Sequence, residues 1–148
     1  MPKELSKSVV AAWIALMRAQ QTTLLKIERA FRDAKLPPLA WYDVLWALDR
    51  AQEAGLRPFE IERRILIAQS NISRLIDRLE EQGHVERRPC EADGRGQHVV
   101  ITPSGRELRR RMWPVYARAL REALGHRVSE REAANLAGLL TKLTDERQ

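Results

Sequence analysis

The chain has 148 residues, 44% of them hydrophobic and 31% charged. That is enough for one domain with its own core, and it excludes disorder, collagen-like repetition and low-complexity function. The formal charge of +6 comes from 26 cations against 20 anions, which admits an anionic partner without demanding one. All but five of the cations are arginine, whose planar fork suits phosphate and base edges, although a coding bias towards arginine gives the same count. A lone cysteine, Cys90, rules out an internal disulfide and any cysteine-rich metal centre, and it fits a reducing cytoplasm. No apolar run approaches a membrane span and no leader pattern opens the chain, so neither membrane insertion nor export is expected.

Between residues 4 and 35, Val9, Val10, Trp13, Ile14, Met17, Leu24, Leu25, Ile27 and Phe31 recur at helical spacing. They predict one long helix that ends at Leu36-Pro37-Pro38. Leu39, Tyr42, Val44, Leu45 and Leu48 mark a second helix that stops near Gly55. A short third helix begins at Arg57-Pro58-Phe59-Glu60, with proline where the first turn has no use for an N–H, and runs to about Arg64.

From Ala68 to Gln82 the pattern puts Ile72, Leu75, Ile76 and Leu79 on one face. Gln69, Ser70, Asn71, Ser73, Arg74 and Arg78 fall largely away from it, an exposed face rich in hydrogen-bonding groups. The extended segments His84–Arg88 and Gln97–Ile101 flank a turn-rich stretch with Asp93-Gly94, which predicts a β-hairpin with a long tip. A further helix runs from Thr102-Pro103 to Gly125, with Pro114 as a possible kink. Ser129-Glu130-Arg131-Glu132 is a capping box, and Leu136, Leu139, Leu140 and Leu143 stripe the last helix.

The order is therefore mainly α with a small β-hairpin wing, a winged helix-turn-helix core flanked by long terminal helices. Several spaced motifs within it resemble the multiple antibiotic resistance regulator (MarR) family of bacterial transcription factors. They are Arg57-Pro58-Phe59-Glu60-Ile61, then Gln69 through Glu80 followed by Gly83-His84-Val85-Glu86-Arg87, and finally Asp93-Gly94-Arg95 with Ile101-Thr102-Pro103-Ser104-Gly105. The resemblance implies one domain over 1–148, with a DNA-binding lobe at 39–102 and dimerisation helices at 4–35 and 104–146. It departs from the family where Arg57 and Ala68 stand in place of the Ser or Thr that would cap the third and fourth helices, leaving open how those helices begin.

A second copy packed on the apolar stripes of the terminal helices would present two recognition helices to successive major grooves. The resemblance then implies a cytoplasmic, sequence-specific regulator of double-stranded DNA, a ligand-responsive repressor acting as a homodimer on a palindromic operator. The alternative is a winged-helix module for protein or RNA contacts. The candidate DNA-binding residues are Gln69, Ser70, Asn71, Ser73, Arg74, Arg78, Arg88 and Arg95, the last entering the minor groove from the wing tip. Asp93 and Asp77 are read as positioning groups that pair with nearby arginines.

Family ligands are small, often aromatic anions held between the dimer helices and the DNA-binding lobe. Trp13, Arg18 and Trp41 are the candidates for such a pocket, against the plainer reading of the tryptophans as core. Cys90 lies in the wing and not where a peroxide-sensing thiol would sit in the family. His84, Cys90 and His98 match no zinc spacing, so no metal or other cofactor is expected. No phosphate loop, His-Glu-x-x-His pair or nucleophile elbow is present, which argues against an enzyme.

Overall fold

The structure, a computed structural model, describes residues 3–89 and 96–144. Cys90, Asp93 and Arg95 lie outside the described residues. In chain order the elements are α1 (Lys7–Asp33), α2 (Leu39–Ala51), a 3-10 turn (Gln52–Ala54), α3 (Pro58–Arg64), α4 (Ile72–Glu81), β1 (Val85–Pro89), β2 (Gln97–Ile101), α5 (Pro103–Leu120), a π-helical turn (Arg121–Gly125) and α6 (Glu130–Thr144). This is the mainly helical fold with one hairpin wing that the sequence predicts. No helix among the described residues is long and apolar enough to cross a membrane.

The chain divides into two compact units, Phe31–Val115 and the two chain ends, Met1–Ala30 with Tyr116–Gln148. The central unit extends past the 39–102 lobe on both sides because Phe31, Leu108 and Met112 are buried as well. Its core is built from α2, where Leu39, Tyr42, Val44, Leu45, Ala47 and Leu48 are all buried, together with Ile61 of α3 and Leu75, Ile76 and Leu79 of α4. Val85, Val99, Val100 and Ile101 add the apolar residues of the hairpin.

The strands are antiparallel, with Val85 opposite Ile101 and Pro89 opposite Gln97. A third segment joins them: Leu56 and Val99 exchange both backbone hydrogen bonds, at 3.0 and 2.7 Å. Gly55 therefore does more than close a helix. A Cβ there would lie 2.5 Å from the Val99 carbonyl oxygen, and its φ of +65° is one that glycine alone adopts freely.

Thr102 seats the start of α5. Its N–H donates to the His84 carbonyl at 3.1 Å, its hydroxyl donates to the Gly83 carbonyl at 2.6 Å, and its Oγ1 accepts the Gly105 N–H at 3.1 Å. The same oxygen thus caps the helix and ties it to the turn before β1. α5 runs through Pro114, whose missing N–H costs one helical bond, and passes into the π turn, where the His126 N–H reaches back five residues to Arg121. The α-helix thus ends at Leu120, earlier than the predicted Gly125.

In the other unit Ile27, Tyr116 and Ala119 are buried, but α6 buries none of its residues. Its start is the capping box read from the sequence. The Ser129 hydroxyl accepts the Glu132 N–H at 3.1 Å and the Glu132 carboxylate accepts the Ser129 N–H at 3.0 Å. Hydrogen bonding to the carboxylate, from the Ser129 N–H first and its hydroxyl second, holds the Glu132 carboxyl below the usual glutamate range.

Candidate nucleic-acid interface

α4 keeps the face assignment made from sequence but not its start. Leu75, Ile76 and Leu79 are buried, while Ser73, Arg74, Asp77 and Arg78 are exposed. The helix begins at Ile72, four residues later than predicted, because Asn71 is its cap: Oδ1 accepts the Arg74 N–H at 3.0 Å. Ala68 therefore has no capping to do.

Gln69 and Ser70 belong to the turn before the helix. Gln69 Nε2 donates weakly to the Ile67 and Ala68 carbonyls at 3.4 and 3.3 Å, so this side chain shapes the turn. No acidic residue occupies the first turn of α4, whose free N–H groups and positive dipole end favour an approaching anion.

The turn ahead of α4 is held from below by a residue that the sequence reading passed over. Asp43 is buried in α2 and its Oδ2 accepts the Leu66 N–H at 3.2 Å. A carboxylate in that position is costly without partners, so it fixes where the α3–α4 turn sits. The signal for it was an acid inside the apolar run Trp41-Tyr42-Asp43-Val44-Leu45. At α3 the Arg57 N–H donates to Glu60 Oε1 at 3.1 Å, which supplies the start that Arg57 has no acceptor to provide through its own side chain.

The wing strand is clamped to α4 by Arg87. Its guanidinium reaches Asp77 Oδ1 at 2.6 Å and Glu80 Oε1 at 2.8 Å, and its backbone N–H donates to Glu80 Oε2 at 3.1 Å. Burial works against the charged form, but the two carboxylates prevail and hold the guanidinium above its ordinary pKa. Arg87 is thereby committed to the fold. Arg88, on the opposite side of the strand, is exposed and pairs loosely with Glu86 at 3.2 Å. Arg74 and Arg78, one helical turn apart, have no acidic partner among the described residues.

A second cluster, also missed from sequence, joins α2 to α5. Asp49 accepts from Arg109 Nε at 2.7 Å and from Arg106 Nε at 3.3 Å. Tyr42 stacks on Trp113 with ring centroids 6.2 Å apart. Burial raises the Tyr42 hydroxyl pKa, with Arg109 pulling the other way.

Trp41 meets the His84 ring edge-on at 6.2 Å, and His84 Nδ1 bonds Ser104 Oγ at 2.9 Å. Burial, and then the Arg111 charge, depress the His84 pKa. Of the ligand candidates, Trp13 and Arg18 are exposed on α1. Trp41 lines a cavity of about 250 Å³ together with Gln69, Ser70, Asn71, Arg74 and Arg78.

Comparison with known proteins agrees with this arrangement. Residues 36–96 match the model of the MarR family. The fold is similar to that of a MarR family transcriptional regulator from Streptomyces coelicolor solved in complex with DNA, at 26% identity and a TM-score of 0.86, covering 98% of this chain and 91% of that one. BpsR of Bordetella bronchiseptica, whose DNA binding is regulated by 6-hydroxynicotinic acid, is 25% identical with a TM-score of 0.79, over 99% and 100% of the two chains. A mutant MarR from E. coli complexed with operator DNA shares the fold at 22% identity and a TM-score of 0.78, over 95% and 99%.

Proposed function

We propose, from the match of residues 36–96 to the MarR family model and the likeness to a DNA-bound MarR family regulator, that the chain is a DNA-binding transcriptional regulator of that family and acts as a homodimeric repressor on an inverted-repeat operator, released by a small ligand. One observation carries the DNA-binding part. α4 presents Ser73, Arg74 and Arg78 to solvent from a helix whose other face is core and whose capped N-terminus is free of acids. In this reading Asn71 and Ser73 meet base edges while Arg74, Arg78 and Arg88 hold phosphates. Gln69 and Ser70 border the groove from the preceding turn. Asp77 acts through Arg87, keeping the wing strand on α4. Arg95 is assigned to the minor groove beside it, and Asp93 is read as a positioning group that pairs with a nearby arginine.

The dimer is supported by the chain ends. Leu136, Leu139 and Leu143 of α6 and Val9, Trp13 and Ile14 of α1 are exposed apolar residues, more than an isolated chain keeps in water without a partner. The ligand response is supported by BpsR, whose DNA binding is regulated by a small aromatic acid. A binding protein with these parts needs no catalytic apparatus.

Fluorescence anisotropy on a duplex from upstream of the chain's own gene tests the reading. Affinity should fall steeply with salt, and Arg78→Ala should lower it while reducing the log–log salt slope by about 1, the loss of one phosphate contact. Binding that ignores salt and this substitution, or that prefers RNA or a protein over the duplex, would refute it.

A further inference from the structure

Between α3 and α4 the backbone is tied down along its length. The Ile65 N–H donates to the Ile61 carbonyl at 3.1 Å, the Leu66 N–H to Asp43 Oδ2 at 3.2 Å, the Gln69 amide folds back on the Ile67 and Ala68 carbonyls, and Asn71 caps the helix. Asp43 is the one buried polar or charged side chain among the described residues, and a carboxylate there costs free energy that its hydrogen bonds must offset. The backbone it holds carries Leu66, which at 76% exposure is barer than any other large apolar side chain among the described residues.

A lone exposed leucine is ordinary on a protein surface. One whose own N–H is anchored by a buried acid is held ready to meet a partner, and its surroundings favour DNA over a protein. Ile65 and Ile67 on either side are half-buried, and Phe59, the other exposed apolar residue of this stretch, lies under the Arg63 guanidinium, 5.5 Å from the ring centroid. One leucine is far short of the area that a protein interface buries. Arg63 and Arg64, just ahead of it, are exposed cations that suit a polyanion. Gln69, Ser70 and Asn71 follow directly on the way into α4.

The major groove offers such a side chain one apolar group, the 5-methyl of thymine. We propose that Leu66 packs against a thymine methyl at the edge of each half-site and so sets base preference at a pair that the polar residues of α4 do not read. The proposal rests on the DNA-binding reading above and adds a specificity residue to it. Because Leu66 is held in place before DNA arrives, the contact needs little ordering. Because the side chain is uncharged, it leaves the salt dependence of binding untouched.

The test uses the tightest duplex that the full chain selects from random sequence, with each thymine replaced in turn by deoxyuridine, which removes the methyl and nothing else. Native protein should bind about fourfold more weakly when one particular thymine is replaced, the value of one buried methyl group. Leu66→Ala should bind the thymine duplex more weakly by at least that factor, with an unchanged salt slope, and should not distinguish thymine from deoxyuridine at that position. Leu66 is exposed, so its substitution leaves the core intact.

Deoxyuridine effects that are the same in native protein and in Leu66→Ala would overturn the proposal, as would a variant that loses affinity equally for every duplex. Leu66→Ala binding all duplexes as native protein does would overturn it too, and would hand the leucine to a protein partner. In each of these cases salt-dependent duplex binding would leave the regulator reading standing. A chain that binds no duplex would remove both together.

Discussion

At the scale of single residues, one amide oxygen decides where the recognition helix starts. Asn71 Oδ1 holds the Arg74 N–H, and with it the backbone from which Ser73 and Arg74 project. Asn71→Ala should cost about 1 kcal/mol of stability, read as a lower midpoint in urea unfolding, whereas Asn71→Asp keeps the acceptor and should unfold with the native chain. On a duplex the order changes, because the added carboxylate faces phosphates and Asn71→Asp should bind more weakly than Asn71→Ala. Equal unfolding midpoints for all three would show that the cap contributes nothing. The side chains exposed on α4 were legible from their 3.6-residue spacing. The capping role of Asn71 was not, since an amide that reads a base edge and one whose oxygen caps a helix look alike in sequence, and only the backbone path reveals the cap.

Elements depend on contacts that the sequence holds far apart. The helices and the hairpin could be read locally because periodicity, Pro58, Gly83 and the Ser129 box are local signals. The links that assemble them could not. Asp49 reaches arginines 57 and 60 residues away, and Leu56 pairs with Val99 through a single bridge that no alternation of residues announces.

Gly105 shows the cost of such a join. A Cβ there would run into the His84 carbonyl oxygen, a backbone atom that cannot step aside without disturbing the turn into β1. Gly105→Ala should therefore destabilise the chain by about 2 kcal/mol, the scale of overpacking. Gly138→Ala, in open space on α6, should raise stability by up to about 1 kcal/mol through helix propensity. Paired denaturant curves check both signs, and a neutral Gly105→Ala would mean that α5 does not sit this close to the turn before β1.

For the whole molecule the contrast lies between a central unit with a continuous core and chain ends with little of one. If a second copy covers the exposed leucines of α6, Leu139→Glu combined with Leu143→Glu should convert the species seen by sedimentation from two chains to one. Duplex affinity should fall with it, because two tethered half-site contacts become one. A double variant that sediments unchanged would place the subunit contact elsewhere. The apolar stripes of these helices were legible in the sequence, but whether they were buried within the chain was not, since a stripe looks the same whichever surface covers it.

The C-terminal helix has a further consequence for the lifetime of the protein in a cell. Fifteen residues joined to the chain by a capped start, with none of them buried, are too few to hold helical form well in water unaided. In a solitary copy that segment should open readily and offer its backbone to peptidases. If a second copy covers α6 as proposed, scarce protein should be trimmed there while abundant, paired protein is sheltered, so that copy number would set how long each molecule survives.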